Sequence, residues 1–129
     1  MDEAVEQPPA GDPAIRVVAM PADTNANGDI FGGWLVSMMD LAAGTIASQR
    51  SRGRTATIAI DGMTFHRPVK VGDVVSVYAD LVSIGRTSMK IDITAWRRSR
   101  DGLEVHKVTH ATFTFVAIDE QGRPRAVDE

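Results

Sequence analysis

The chain has 129 residues, of which 43% are apolar and 24% charged, proportions that suit one globular domain and exclude a wholly disordered chain. Fourteen bases against 17 acids give a net charge of −3, and the first fourteen residues hold four acids and no base, which leaves the remainder at +1. Nucleic-acid binding therefore has no basic field to rest on, and with no cysteine there is no disulfide framework, thiolate metal site or thiol nucleophile.

Residues 1–14 read as a disordered leader, in which Pro8, Pro9 and Pro13 alternate with small and acidic residues. The leader is acidic where a signal peptide would be basic and apolar, and no apolar run reaches the ~18 residues of a membrane span, so a cytoplasmic protein is expected. The folded domain is expected over residues 15–118. Ile15 to Met20 makes a first strand that Pro21 ends, and Asp23 to Asp29 is dense in turn formers. Gly32-Gly33 opens a helix from Trp34 to Ala47, with Leu35, Met38, Met39, Ala42 and Ile46 at helical spacing. Neither of its faces is clearly polar, so it is expected to be buried nearly all round. Gln49 to Gly53 ends it.

Strands follow. Ile58 and Ile60 alternate, Met63 and Phe65 continue in the other phase, and the change at Asp61-Gly62 predicts a bulge. Lys70 to Asp73 makes a turn. The next two strands present Val75, Val77, Ala79 and Leu81, then Met89, Ile91, Ile93 and Ala95, to the interior. Asp101-Gly102 is a hairpin signal, and Val105 to Ile118 is the last strand, with Ala111, Phe113 and Phe115 inward. Residues 119–129 form a polar tail. One helix on a five-stranded antiparallel sheet is an α+β arrangement, and it leaves apolar surface that a second copy would cover.

Several chemical motifs fail on inspection. Asp23-x-Asn25-x-Asn27-Gly28 imitates an EF-hand, but its twelfth position is Trp34. Gly28 to Gly33 has P-loop glycine spacing without the Lys and Ser/Thr that touch phosphate and magnesium. His106 and His110 are four apart, yet on a strand that is about 13 Å, too far for one metal ion. No metal site is expected, and nothing points to a serine-hydrolase triad.

Asp40 stands out. It lies about two turns into the apolar helix, beyond the reach of N-capping, with Val36, Ser37, Ala43 and Gly44 as its helical neighbours. A buried carboxylate without a partner costs on the order of several kcal/mol. Either an Arg or a strand hydroxyl holds it for structure, or it serves chemistry. The loop ahead of it favours chemistry. The Gly32 and Gly33 amides begin the helix uncovered, which suits the carbonyl oxygen of an ester or thioester, and a carboxylate one to two turns on can activate water. Asn25 is a candidate to orient water or substrate, although taken alone an Asx-turn accounts for it better.

These residues resemble a known family. Ala19 to Trp34, followed by Asp40, is similar to the YciA-like branch of the hotdog-fold acyl-CoA thioesterases. Gly62-Met63-Thr64-Phe65-x-Arg67-Pro68-Val69-x-Val71-Gly72-Asp73 resembles its second block, and Phe115 to Arg125 its end. The resemblance spans Ile15 to Val127. It implies a hotdog fold, a long central helix wrapped by a five-stranded antiparallel sheet. It implies homodimers with a composite active site, assembled as a trimer of dimers, and hydrolysis of acyl-CoA to fatty acid and CoA with no cofactor. Asp40 matches the helix carboxylate, as general base or as nucleophile through an anhydride. Asn25 matches a loop position facing Asp40 of the other subunit. Gly33, with Gly32, matches the donor to the thioester oxygen. Many relatives in the wider group carry His before the glycine pair, where this chain has Phe31.

For CoA the candidate contacts are Arg67, Lys70, Arg86, Ser88 and Lys107, and for the acyl chain Met38, Met39, Met63 and Phe113. A non-catalytic acyl-CoA sensor and a hotdog enoyl-CoA hydratase are the alternatives. The leader is too short and acidic for a DNA-binding segment, and no His follows the loop at a spacing that would serve hydration.

Overall fold

The computed structural model describes residues 7–128, so the first six residues of the expected leader, and Glu129, lie outside the described part. The order is β1 (Ile15–Val18), α1 (Gly32–Ser51), β2 (Thr55–Asp61), β3 (Val74–Ile84), β4 (Ser88–Arg98) and β5 (Val105–Ala117). A single 3-10 turn at Pro21–Asp23 follows β1. The five strands form one antiparallel sheet in the order β1-β3-β4-β5-β2.

Alternation along β3, β4 and β5 builds the core as expected. Met89, Ile91, Ile93 and Ala95 are fully buried beneath α1, with Val75, Val77, Ala111, Phe113 and Phe115 beside them. Phe113 and Phe115 share that face, and their rings stack with centroids 6.5 Å apart. From α1, Leu35, Met39, Ala42, Ala43 and Ala47 meet this floor. Three alanines among five contacts let the helix lie close to the sheet.

Three expectations need correction. First, consecutive turns would pair the last four strands in sequence order, but β2 is not the neighbour of β3. It sits on the far edge beside β5, and residues 62–73 carry the chain across to β3. Hairpin signals fix sequential pairs only; β2 lacks a short turn to β3 and takes the free edge of β5 instead. Second, the bulge falls at Ile58, between Thr57 and Ala59, and not at Asp61-Gly62. Gly62 instead ends the strand with φ 69°, so Met63 and Phe65 lie on the crossover. Third, α1 is longer than predicted, and within one chain it leaves open a stripe of the kind a second copy is expected to cover. Leu41 is 57% exposed, and Ser37 and Thr45 flank it on the open stripe. Their hydroxyls donate back to Gly33 O (2.9 Å) and Leu41 O (2.8 Å), so the stripe carries no unmet polar group there.

The C-terminal segment is docked. Ile118 and Pro124 pair, Val127 N donates to Arg86 O, and Val127 joins the core at 5% exposure. The Arg125 guanidinium donates to Ser51 O, Ser51 Oγ, Arg54 O and Ile118 O, which closes the C-terminal end of α1. At the other end of the chain, Pro8 lines a shallow pocket together with Arg16, Tyr78 and Trp96.

Candidate active site

The loop ahead of α1 is a closed turn. Asn25 N donates to Asp29 O at 2.7 Å, and Gly28, at φ 81°, donates back to Asn25 O. Asn25 Oδ1 accepts from Asn27 N (2.8 Å) and Asp29 N (3.2 Å), an Asx-turn that locks the side chain. The Asn25 NH2 meets no acceptor among the described residues. Phe31 N to Asp23 O and Ile30 N to Val69 O fasten the base of the loop.

This loop delivers Gly32 and Gly33 to the first turn of α1. Phe31 is the N-cap and its side chain offers no capping bond, so the glycine amides are exposed and without a side-chain acceptor. Aromatic rings wall them in. A Cβ at Gly32 would stand 3.4 Å from the Phe65 ring, and one at Gly33 3.4 Å from the Phe31 ring. Asn25, Phe31, Gly32, Phe65 and Arg67 line one cleft of about 260 Å³.

Asp40 is half-buried on α1, and Thr57 Oγ1 of β2 donates to its Oδ1 at 2.6 Å. Among the described residues no Lys or Arg pairs with it. The carboxylate opens on a second crevice, between α1 and β2, with Gly44, Ser48, Thr55 and Phe115. Gly33 and Asp40 are seven residues apart, which is about two turns and ~10 Å along the helix.

A buried ion pair braces the first cleft from behind. Asp73 Oδ2 accepts from Arg97 Nη1 and from Lys70 N, both at 2.8 Å, and the two side chains are only 5% and 15% exposed. This pair holds the turn whose Val69 carbonyl anchors Ile30, and Lys70 Nζ pairs with Asp29 of the loop itself. The Arg97 Nε is buried without a partner among the described residues.

The candidates separate as follows. Asn25, Gly32 and Arg67 share one cleft, and Asp40 faces the other. Lys70 is tied to Asp29. Arg86 and Ser88 lie by the C-terminal end of the helix, where Arg86 O accepts from Val127 N. Lys107 stands on β5 opposite Trp96. Met39 and Phe113 are fully buried core residues, while Met38 and Met63 are half-buried against them. Sequence reasoning missed Thr57, Phe65 and the Asp73–Arg97 pair. Asp73 ended a recognisable turn, but nothing in the sequence links it to an Arg 24 positions on. Among the described residues, no three His, Asp or Glu side chains converge as a metal set.

Comparison with known proteins gives a consistent result. The family model described as the thioesterase superfamily matches residues 27–104. An uncharacterized acyl-CoA thioester hydrolase of Zymomonas mobilis is 59% identical over 116 residues, covering 90% of this chain and 78% of its own. Acyl-CoA thioester hydrolase YciA of Escherichia coli is 49% identical over 122 residues, covering 92% of each. Among solved structures, the hexameric thioesterase y2039 of Yersinia pestis superposes with a TM-score of 0.86 at 48% identity, covering 92% of this chain and 96% of its own. HI0827, a hexameric broad-specificity acyl-coenzyme A thioesterase, gives 0.88 at 43% identity, covering 95% and 85%.

Proposed function

The chain belongs to the hotdog-fold acyl-CoA thioester hydrolases of the thioesterase superfamily, and from that premise we propose that Asp40 activates the attacking water while the Gly33 amide receives the thioester oxygen. Water adds to the thioester carbon as Asp40 takes its proton. Negative charge gathers on the oxygen at the helix start, where the first-turn amides and the helix dipole favour it. Collapse of the adduct breaks the carbon–sulfur bond and releases the acid and CoA thiolate, a good leaving group. Asn25, its oxygen fixed by the Asx-turn, offers its free NH2 to the water or the substrate. Arg67, which lines the Gly32 cleft, is placed to serve a CoA phosphate. The single observation that carries this reading is Asp40: half-buried, joined to one hydroxyl, paired with no cation among the described residues, and open to a crevice.

The two halves of the chemistry belong to different chains. Asn25 and Gly32 line one cleft, whereas Asp40 opens on another, between α1 and β2. Gly33 and Asp40 of one helix are about 10 Å apart along the axis. One thioester therefore takes its oxyanion donor and Asn25 from one protomer and its carboxylate from another. The exposed Leu41, Ile58, Ile60 and Phe65 around these groups suit such a seam, and we carry the hexameric assembly of the solved relatives to this chain on that basis.

Mixed oligomers test both points. Asp40→Asn keeps an acceptor for Thr57 and is expected to cut thiol release from acyl-CoA by about 10²–10⁴-fold. Co-expression with Gly33→Pro chains is expected to restore activity, because a mixed dimer holds one site with both wild-type groups. Failure to restore activity in verified mixed dimers would place both groups in the same chain. Wild-type turnover by Asp40→Asn alone would remove it from the mechanism.

A further inference from the structure

We propose that the acyl chain of the substrate lies in the slot between α1 and β2, over Phe115, and that the missing side chain at Gly44 sets how long a chain the site accepts. The inference rests on the reading of Asp40 as the reacting carboxylate. Two cross-links from α1 to β2 bound the slot. At one end Thr57 Oγ1 donates to Asp40 Oδ1 at 2.6 Å; at the other the hydroxyls of Ser48 and Thr55 meet at 3.0 Å. Eight residues of helix separate Asp40 from Ser48, about 12 Å. That length suits a medium-chain acyl group extended away from the carbonyl. The Met39 and Phe113 side chains, by contrast, are sealed in the core with no exposure and offer no entry.

Gly44 stands midway along the slot. A Cβ built on it would come 3.5 Å from the Phe115 ring, an ordinary contact, and among the described residues nothing else beyond its own helical turn and chain neighbours lies within 4 Å of it. Its φ is not positive. Glycine is the poorest residue for a helix interior after proline, so neither the backbone nor the packing within the chain calls for it here. What the missing carbon preserves is width above Phe115, next to the exposed Leu41. A row of methylenes fits that apolar floor, and a side chain at 44 would stand in its path.

The test is thiol release by Gly44→Ala and Gly44→Val across acetyl-, butanoyl-, octanoyl- and palmitoyl-CoA, with melting temperatures alongside. In Gly44→Val the kcat/KM ratio of octanoyl- to acetyl-CoA is expected to fall by about 10–200-fold, the usual penalty for a methylene-sized misfit. The Gly44→Ala melting temperature is expected to rise by about 2–4 °C. Replacing Ser48 and Thr55 together by Ala opens the far end and is expected to raise the palmitoyl-to-octanoyl ratio. Shifts of opposite direction cannot come from a damaged fold. An unchanged ratio in Gly44→Val, an equal loss at every chain length, or a lower melting temperature in Gly44→Ala would overturn the proposal, the last because it would mean that helix packing needs the glycine. Asp40→Asn serves as the control: if it is inactive while the Gly44→Val ratio is unchanged, the slot assignment alone fails, and if it is fully active the reading beneath it fails.

Discussion

The Gly33 amide can be removed without removing the fold. Gly33 is the second residue of α1, and a first-turn N–H has no intrahelical acceptor, so proline there sacrifices no backbone hydrogen bond. Its fixed φ suits a helix start, and the restriction that proline places on its predecessor falls on Gly32, the residue type best able to absorb it. The steric burden is the new Cβ, 3.4 Å from the Phe31 ring, and Gly33→Ala bears the same burden while keeping the N–H. The two variants therefore differ chiefly in the donor. Losing one oxyanion donor costs about 2.7–4 kcal/mol in the transition state, a factor of about 10²–10³ in turnover. We expect Gly33→Pro to fall below Gly33→Ala by that factor in thiol release from a saturating acyl-CoA, with circular dichroism and oligomer size matching the wild type. If the two variants turn over within a few-fold of each other, the Gly33 amide is not the oxyanion donor.

Two further outcomes follow from the scaffold. Arg97→Met leaves the buried Asp73 with only the Lys70 amide and is expected to lower unfolding free energy by about 3–5 kcal/mol, whereas adding Asp73→Asn recovers part of the loss; additive effects in a urea-unfolding cycle would dissolve the pair as a unit. In the β4–β5 hairpin, the Leu103 amide and then the Ser99 hydroxyl hold the Asp101 carboxyl below its usual range. A carboxyl depressed by folding stabilises above its unfolded pKa and loses that contribution as pH falls through the folded value, so Asp101→Asn is expected to lower the urea midpoint at pH 6 and to match the wild type near pH 2. A deficit that persists at pH 2 would show that the effect does not come from ionisation.

What the sequence made legible was local. The alternation in β4 named four residues that are all fully buried, and Asp101-Gly102 marked a real hairpin, with Gly102 at φ 80°. What it hid was set by distance along the chain. No pattern near Thr57 says that it will cross from β2 to Asp40, and the Ile58 bulge that helps place it arises from pairing with β5, which no turn announces. Met39 and Phe113 drew attention as apolar candidates for the acyl chain, but apolar character alone does not separate a lining residue from a sealed one. Val127 shows the reverse error: a lone apolar residue in a polar tail becomes core because the tail folds back on Arg86.

The helix itself carries the argument about function, because its two ends are treated so differently. At the C-terminal end Arg125 makes four donations to Ser51, Arg54 and Ile118, and Gly53 leaves room for the guanidinium, since a Cβ there would stand 2.6 Å from Arg125 Nη2. At the N-terminal end Phe31 offers no side-chain cap to the amides, and two glycines clear the approach to them. A helix that only filled the core would gain about 1 kcal/mol from a Ser or Asp at Phe31, and about as much again from Ala at Gly44. Both gains are forgone on the surface that also holds Asp40, while the sheet-facing side is packed with Leu35, Met39 and three alanines. Those forgone gains fall where the proposed site needs open amides and an open slot beside Asp40.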